Sequence, residues 1–203
     1  SGFSGDGTTV FQSFGTVPTN EVKPLTLTLT NGGSASLVIS SLATSGVSSF
    51  SMNLGTWTLA PGAATNCTIT YRPQTLGAEQ ATFSFAHNGT NTPLTLTADG
   101  YGLRPGEMAV DRVSLQYEAV YGGVNPAVQT IVLTNKGDVP YTYTNSSLGT
   151  PWLSFAPGTN TLAGHASVSL TGAVSVASLG GGAHAATNRI TSGASNSYID
   201  ILV

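Results

Sequence analysis

Aliphatic and hydroxyl-bearing side chains alternate through most of this chain. Leu25, Leu27 and Leu29 interleave with Thr26, Thr28 and Thr30, the period of two that a half-buried β-strand imposes. Asn31-Gly32-Gly33 closes that run with residues that tolerate positive φ. Leu37–Ile39, Phe50–Met52, Trp57–Leu59, Cys67–Tyr71, Ala81–Ala86 and Leu94–Thr97 read as further strands, punctuated by Pro61-Gly62 and Asn88-Gly89. Turn signals about every 8–12 residues predict an immunoglobulin-like sandwich. A second series follows: Met108–Val110, Leu115–Tyr117, Val128–Leu133, Tyr141–Thr144, Trp152–Phe155, Val168–Val176, Asn188–Thr191 and Tyr198–Val203. No stretch carries an apolar stripe at i, i+3, i+4, so the expected class is all-β with negligible helix.

The two series repeat one another. Leu27-Thr28-Leu29-Thr30-Asn31-Gly32-Gly33 returns as Ile131-Val132-Leu133-Thr134-Asn135-Lys136-Gly137, an offset of 104 between Asn31 and Asn135. Thr58-Leu59-Ala60-Pro61-Gly62-Ala63 returns as Thr161-Leu162-Ala163-Gly164-His165-Ala166, and Leu76-Gly77 as Leu179-Gly180, both at offset 103. Ordered matches at near-constant spacing mean two similar units in tandem. The expected organisation is a flexible or strand-donating tail at 1–9, a sandwich at 10–102, a linker at 103–106 and a second sandwich at 107–203. Gly100-Tyr101-Gly102-Leu103-Arg104-Pro105-Gly106 marks the boundary because it holds two glycines and a proline before its last glycine and shows no periodicity.

Charge narrows the partners. Only 7% of the 203 residues are Asp, Glu, Lys or Arg, against roughly 25% in ordinary soluble domains. Six basic residues are scattered and the net charge is −3, so nucleic acid has no electrostatic footprint to bind. No run reaches the ~20 apolar residues of a membrane span, and membrane insertion is not expected. Ser1 follows no basic-then-apolar leader, which reads as a mature product or an excised piece. Cys67 is alone, so no intrachain disulfide forms; alternation places it with Ile69 and Tyr71 as a small buried hydrophobe, a bridge between chains or a reactive thiol being the alternative. A polar but nearly uncharged surface suits an extracellular, cell-surface or periplasmic protein.

Phe14-Gly15-Thr16-Val17-Pro18, the Leu-Thr-Leu-Thr-Asn-Gly-Gly strand and turn, Thr58-Leu59-Ala60-Pro61-Gly62 and Cys67-Thr68-Ile69-Thr70-Tyr71-Arg72-Pro73 stand in the order of bacterial choice-of-anchor D domains. Residues 10–102 therefore resemble these Hydin-type Ig-like modules. Members often carry a second cysteine before the Leu-Ala-Pro-Gly turn; here Trp57 lies nearby and no partner thiol exists, so the resemblance brings no disulfide. Leu115-Gln116-Tyr117, Tyr121-Gly122-Gly123, Trp152-Leu153-Ser154-Phe155-Ala156-Pro157 and Thr161-Leu162-Ala163-Gly164 make residues 107–203 similar to Ig-like repeats of BACON type. That second resemblance implies a spacer or a carbohydrate- or mucin-binding module, and neither resemblance implies a catalytic site.

Candidate chemistry is sparse. His87, His165 and His184 fall in or beside Gly/Asn-rich turns, and no Gly-x-Ser-x-Gly elbow is present, so a hydrolytic triad is not expected. One cysteine and dispersed histidines do not make a zinc site, and Asp6 and Asp138 are single turn acids rather than a calcium cage. Gly180-Gly181-Gly182 lacks the strand–turn–helix setting of a phosphate cradle. Lys23 and Lys136 sit in turn-like contexts unsuited to an internal isopeptide bond. The sequons at Asn66, Asn88 and Asn145 are frequent by chance in so Asn/Thr-rich a chain. No metal, cofactor or enzymatic activity is expected. Trp152, Tyr121, Tyr141 and Trp57 are the candidate sugar-stacking aromatics; the competing role for Trp152 is core packing, in which case Trp152→Ala would cost ~3–5 kcal/mol.

The leading functional expectation is a non-catalytic stalk, filament subunit or adhesive spacer whose partners are neighbouring domains or further copies, joined by β-strand addition. Carbohydrate binding through the second unit is the alternative, and an accessory region of a larger exported enzyme is a third.

Overall fold

The computed structural model describes residues 9–203 except Leu54 and Asn91, together with the backbone of Gly2–Phe3. The expected tail at 1–9, and Asp6 within it, therefore lie largely outside the described residues. The chain forms two compact units, Ser1–Leu103 and Arg104–Val203. No helix occurs among the described residues.

Unit 1 contains β1 (Gly2–Phe3), β2 (Val10–Pro18), β3 (Lys23–Thr30), β4 (Leu37–Gly46), β5 (Phe50–Asn53), β6 (Trp57–Leu59), β7 (Ala64–Tyr71), β8 (Gly77–His87) and β9 (Leu94–Leu103). One sheet has the order β1-β3-β7-β5 and the other β2-β9-β8-β4-β6. Pairing is antiparallel except for β1 on β3 and β2 on β9. Alternation drives the burial: Leu27, Leu29, Cys67, Ile69 and Tyr71 face Ile39, Phe83, Phe85 and Leu96 across one core, while the intervening threonines point away. On the outer face Thr28 Oγ1 donates to Asn66 Oδ1 at 2.9 Å. Phe50 stacks on Tyr71 with ring centroids 4.3 Å apart, and Phe14 packs against both rings.

The segment read as a loop at Gly100–Gly102 is instead the end of β9, paired with β8 on one side and β2 on the other. Its glycines answer to crowding rather than to flexibility. A Cβ on Gly100 would lie 2.4 Å from the Tyr71 ring, and one on Gly102 would lie 2.0 Å from the Thr75 carbonyl oxygen. Beside this strand the Glu79 carboxylate is buried; its Oε1 accepts from Ser49 Oγ at 3.0 Å and Thr75 Oγ1 at 2.7 Å. The Tyr71 hydroxyl is held above its ordinary pKa, first by burial and then by the neighbouring Glu79 carboxylate.

Unit 2 contains β10 (Met108–Val110), β11 (Gln129–Asn135), β12 (Tyr141–Ser146), β13 (Leu153–Ala156), β14 (Thr159–Leu162), β15 (Ser167–Val174), β16 (Thr187–Ser192) and β17 (Tyr198–Leu202). Its sheets have the orders β10-β11-β15-β13 and β14-β12-β16-β17. Ile131, Leu133, Tyr143, Leu170, Ile190 and Ile201 form the centre of its core. The expected strand at Leu115–Tyr117 is absent. Asp111 ends the β10–β11 ladder by receiving Val132 N on its Oδ1 at 2.7 Å, and the chain then crosses to β17, where Leu115 N donates to Leu202 O at 2.9 Å. Strand β14, which is not among the strands expected from the sequence, pairs with β12, and Leu162 enters the core opposite Tyr141.

The phrase written twice has one structural role in both units. Asn31 is 4% exposed and Asn135 0%. Asn31 Nδ2 donates to Ala35 O and Leu59 O while its Oδ1 accepts from Gly33 N. Asn135 Nδ2 donates to Val139 O, Leu162 O and Ala163 O while its Oδ1 accepts from Gly137 N. Each amide thus cross-links a turn to the end of a second strand, satisfying backbone groups that burial would otherwise orphan. A further equivalence is conformational: Gly62 has φ 74°, and His165, at the same place in the repeat, has φ 60°. A non-glycine residue is strained there, and His165 Nε2 bonds Asp138 Oδ1 at 2.7 Å.

Three carboxylates of unit 2 are held below the usual carboxylate range. Asp111 is lowered first by Val132 N, Asp138 first by Arg104 N and then by His165, and Asp200 by the Arg189 guanidinium, which it meets at 2.7 Å. A depressed folded pKa adds stability above the unfolded value of ~3.9, and that contribution disappears as pH falls through the lower folded values. The second unit is accordingly expected to melt at progressively lower temperature below about pH 4, with Asp138→Asn flattening part of the slope. Thermal melts followed by Trp152 fluorescence in a Trp57→Phe background would show it.

Candidate functional site

The four aromatics singled out in the sequence do not form one site. Tyr141 is 5% exposed, its hydroxyl included, and burial with the neighbouring Tyr143 pushes its pKa up to about 12. It offers no stacking face, because strand alternation turns it and Tyr143 inward together. Trp57 lies in unit 1, half-buried on β6 opposite Ile39. Trp152 and Tyr121 do come together, on the wall of a cavity of about 520 Å³ in unit 2.

That cavity lies between two long irregular segments, 111–128 and 175–186. Asn125 Oδ1 ties them by accepting Val176 N at 2.9 Å, and Tyr117 anchors the first by donating its hydroxyl to Gly172 O at 2.8 Å. Trp152 is half-buried: it packs on the core from the edge and shows the rest of its ring to the cavity. His184 meets that ring edge-on at a centroid distance of 6.4 Å. Its Nε2 donates to Gly180 O at 2.9 Å. Tyr121 is 77% exposed, and Glu118 is the charged side chain among the described lining residues. The sequence places His184 in or beside a Gly-rich turn and gives Gly180–Gly182 no role as a phosphate cradle, and neither reading points to this cavity. The available signal was length, since irregular segments beyond ~12–15 residues are uncommon unless functional.

Unit 1 has its own cavity, of about 580 Å³, between the turn after β3 and the turn joining β8 to β9. Leu29, Ile39, Phe85 and Leu94 form its floor, with His87 and Asn88 among its outer lining. Cys67 lies elsewhere, in the unit 1 core, and burial raises the pKa of its thiol. Among the described residues no cluster of His, Cys, Asp or Glu could hold a metal ion.

Two sheets closing over a single core, with Greek-key-like strand order and loops gathered at the ends, define an immunoglobulin-like sandwich. The HYDIN/CFA65/VesB-like Ig-like domain model matches residues 9–101, so the first unit is a Hydin-like Ig-like module. No curated protein is significantly similar to the chain. Among solved structures, it is similar to a protein of unknown function from Porphyromonas gingivalis W83, with 15% identity over 92% of each chain and a TM-score of 0.37. It is also similar to the secreted serine protease VesC from Vibrio cholerae, with 12% identity over 80% of this chain and 44% of that one, TM-score 0.38. The CupB2 chaperone of Pseudomonas aeruginosa aligns over 98% of this chain and 99% of its own at 10% identity, TM-score 0.33. Likenesses this distant say nothing of activity or partners.

Proposed function

We propose that the chain is a non-catalytic structural or interaction segment of an exported bacterial protein, a stalk, filament subunit or adhesive spacer, whose copies associate by adding strands across sheet edges. The outer edge of β4 carries this reading. On one side β8 pairs β4 as far as Gly46, but on the other β6 covers only Leu37–Ile39. Among the described residues Ser41–Gly46 meet no strand on that side, and all but half-buried Leu42 are exposed. None of them is charged and none is proline, so the usual devices that keep sheet edges apart are missing. An extended strand adds to such an edge through main-chain hydrogen bonds.

One added strand buries little area, so association should be weak and concentration-dependent. Sedimentation velocity over a wide concentration range is expected to show reversible oligomers, and Ala43→Lys should suppress them while leaving the melting temperature within about 2 °C, as for an exposed substitution. A strictly monomeric mass at high concentration, unchanged on deleting residues 1–9, would overturn the reading.

A second reading, carbohydrate binding, is favoured by the unit 2 cavity, which gathers Trp152, Tyr121 and His184 around one space. An aromatic face packs on the C–H face of a sugar ring, and the described lining holds no lysine or arginine to meet an anionic ligand. Titration with cellotriose and chitotriose should shift Trp152 fluorescence, and Tyr121→Ala should weaken the response at least about tenfold, the scale of a ~1.4 kcal/mol contact. A glycan array without hits would dispose of this reading.

A further inference from the structure

The open edge of β4 has a phase, set by the strand it already pairs with. Antiparallel neighbours exchange main-chain hydrogen bonds at every second residue, and the residues between turn their N–H and C=O groups to the other side. Val47 N donates to Gln80 O at 3.2 Å. The same register continues through Ser45 with Thr82, Ala43 with Ser84 and Ser41 with Ala86, so these residues direct their main-chain groups to β8. Leu42, Thr44 and Gly46 direct theirs to the open side. Strand β6 has stopped short of them, at the pairing of Ile39 with Trp57, and a register shift between Ile39 and Ser41 separates the covered part of β4 from the open part.

Ala43, Thr44, Ser45 and Gly46 are exposed, as is Val47 beyond them. Strand β5, which follows, pairs with β7 in the other sheet. The three outward residues are spaced evenly about Thr44, and this spacing makes the edge complementary to a second copy of itself. With a two-fold axis at Thr44, that residue meets its own counterpart, and Leu42 of each copy meets Gly46 of the other. Every outward N–H and C=O of the stretch then faces a partner. An axis at Ala43 would instead set Gly46 against Ser40, in the register shift, and an axis at Ser45 would set Leu42 against Ser48, past the end of the strand.

The side chains agree with this register. Gly46 brings nothing against Leu42, and it is held to glycine because a Cβ there would lie 2.5 Å from Gln80 O. Ala43 falls opposite Ser45, two small side chains on the outer face. A threonine facing a threonine is a favourable cross-strand pair. Neither copy carries a charge in Ser41–Gly46 to repel the other.

We infer that two copies of the chain join through antiparallel β4–β4 pairing about a two-fold axis at Thr44, which makes one continuous sheet from their two five-stranded sheets. The inference rests on the strand-addition reading and narrows it. An isologous contact uses the same edge on both copies and closes at two, so this edge makes pairs, and a filament needs a second, different contact.

Single cysteines read the register directly. In the inferred pair Ala43 lies opposite Ser45 of the second copy at a non-hydrogen-bonded position, with Cα atoms about 4.5 Å apart, inside the range of about 4.4–6.8 Å that a disulfide spans. An equimolar mixture of Ala43→Cys and Ser45→Cys chains, incubated with oxidised glutathione, is expected to form the mixed disulfide dimer at least tenfold faster than either chain alone forms its own. Intact mass identifies the products. Cys67, the one native thiol, is 3% exposed, so the parent chain serves as the blank. Faster linking of either variant with itself would move the axis off Thr44 and overturn the inference, as would equal rates in all three samples. Reversible oligomers in sedimentation velocity with no mixed disulfide would overturn it too, while leaving strand addition at some other edge. A chain that stays monomeric at every concentration and never links removes both.

Discussion

Asn135→Ala is expected to destabilise the second unit by about 4 kcal/mol, more than any single surface change. The side chain serves five backbone groups: the carbonyls of Val139, Leu162 and Ala163, and the amides of Gly137 and Glu107. It is wholly buried, so truncation strands these groups away from water, at ~1–3 kcal/mol for each that finds no new partner. That is a large share of an ordinary ~5–15 kcal/mol stability. The matching Asn31→Ala change removes three bonds beside an open cavity that water can enter, and should cost about half as much, roughly 2 kcal/mol. Each unit carries one of the two tryptophans. Urea unfolding of Trp57→Phe and Trp152→Phe backgrounds would therefore read the two effects separately. Equal losses in both units would mean that the buried amide alone, and not the segment seated on it, sets the energy.

Gly102→Ala should destabilise the first unit by about 3 kcal/mol through overpacking. The added methyl would lie 2.0 Å from the Thr75 carbonyl oxygen and 3.1 Å from Pro73 Cβ, so the loop between β7 and β8 must move. That loop is held by Thr75 Oγ1 on the buried Glu79 carboxylate, and its displacement loosens a second interaction. Gly32→Ala is the control, with nothing near the added atom and no positive φ; it should be neutral within about 0.5 kcal/mol. A Gly102→Ala chain as stable as its parent, by the Trp57 signal, would show that β9 does not run where its pairing places it.

Much of this architecture was legible before any coordinates. Leu25–Thr30 alternates as a strand and is one, and Cys67, Ile69 and Tyr71 share the buried face that alternation assigns. The less legible parts share a cause. Gly100 and Gly102 look like a hinge, yet they are strand residues with a tyrosine ring and a carbonyl against them, and no local pattern tells space that must be empty from chain that must bend. Leu115–Tyr117 alternates like a strand, but Leu115 meets Leu202 at the far end of the unit and Tyr117 reaches Gly172, so pairing partners decided its form. Tyr141 and Tyr121 are the same residue type; one closes a core and the other stands at a cavity mouth.

The order of residues by itself determined an all-β chain built from two related units, because side-chain alternation and turn chemistry act between neighbours a few positions apart. Tertiary structure alone decided which aromatics face water, which glycines relieve crowding, and that one buried asparagine receives a passing segment while its twin borders a cavity and meets no such segment among the described residues. Those outcomes depend on segments brought together from across a unit, as when Glu107, Asn135 and Asn196 meet at one end of the second sandwich, and a period of two residues carries no record of such meetings.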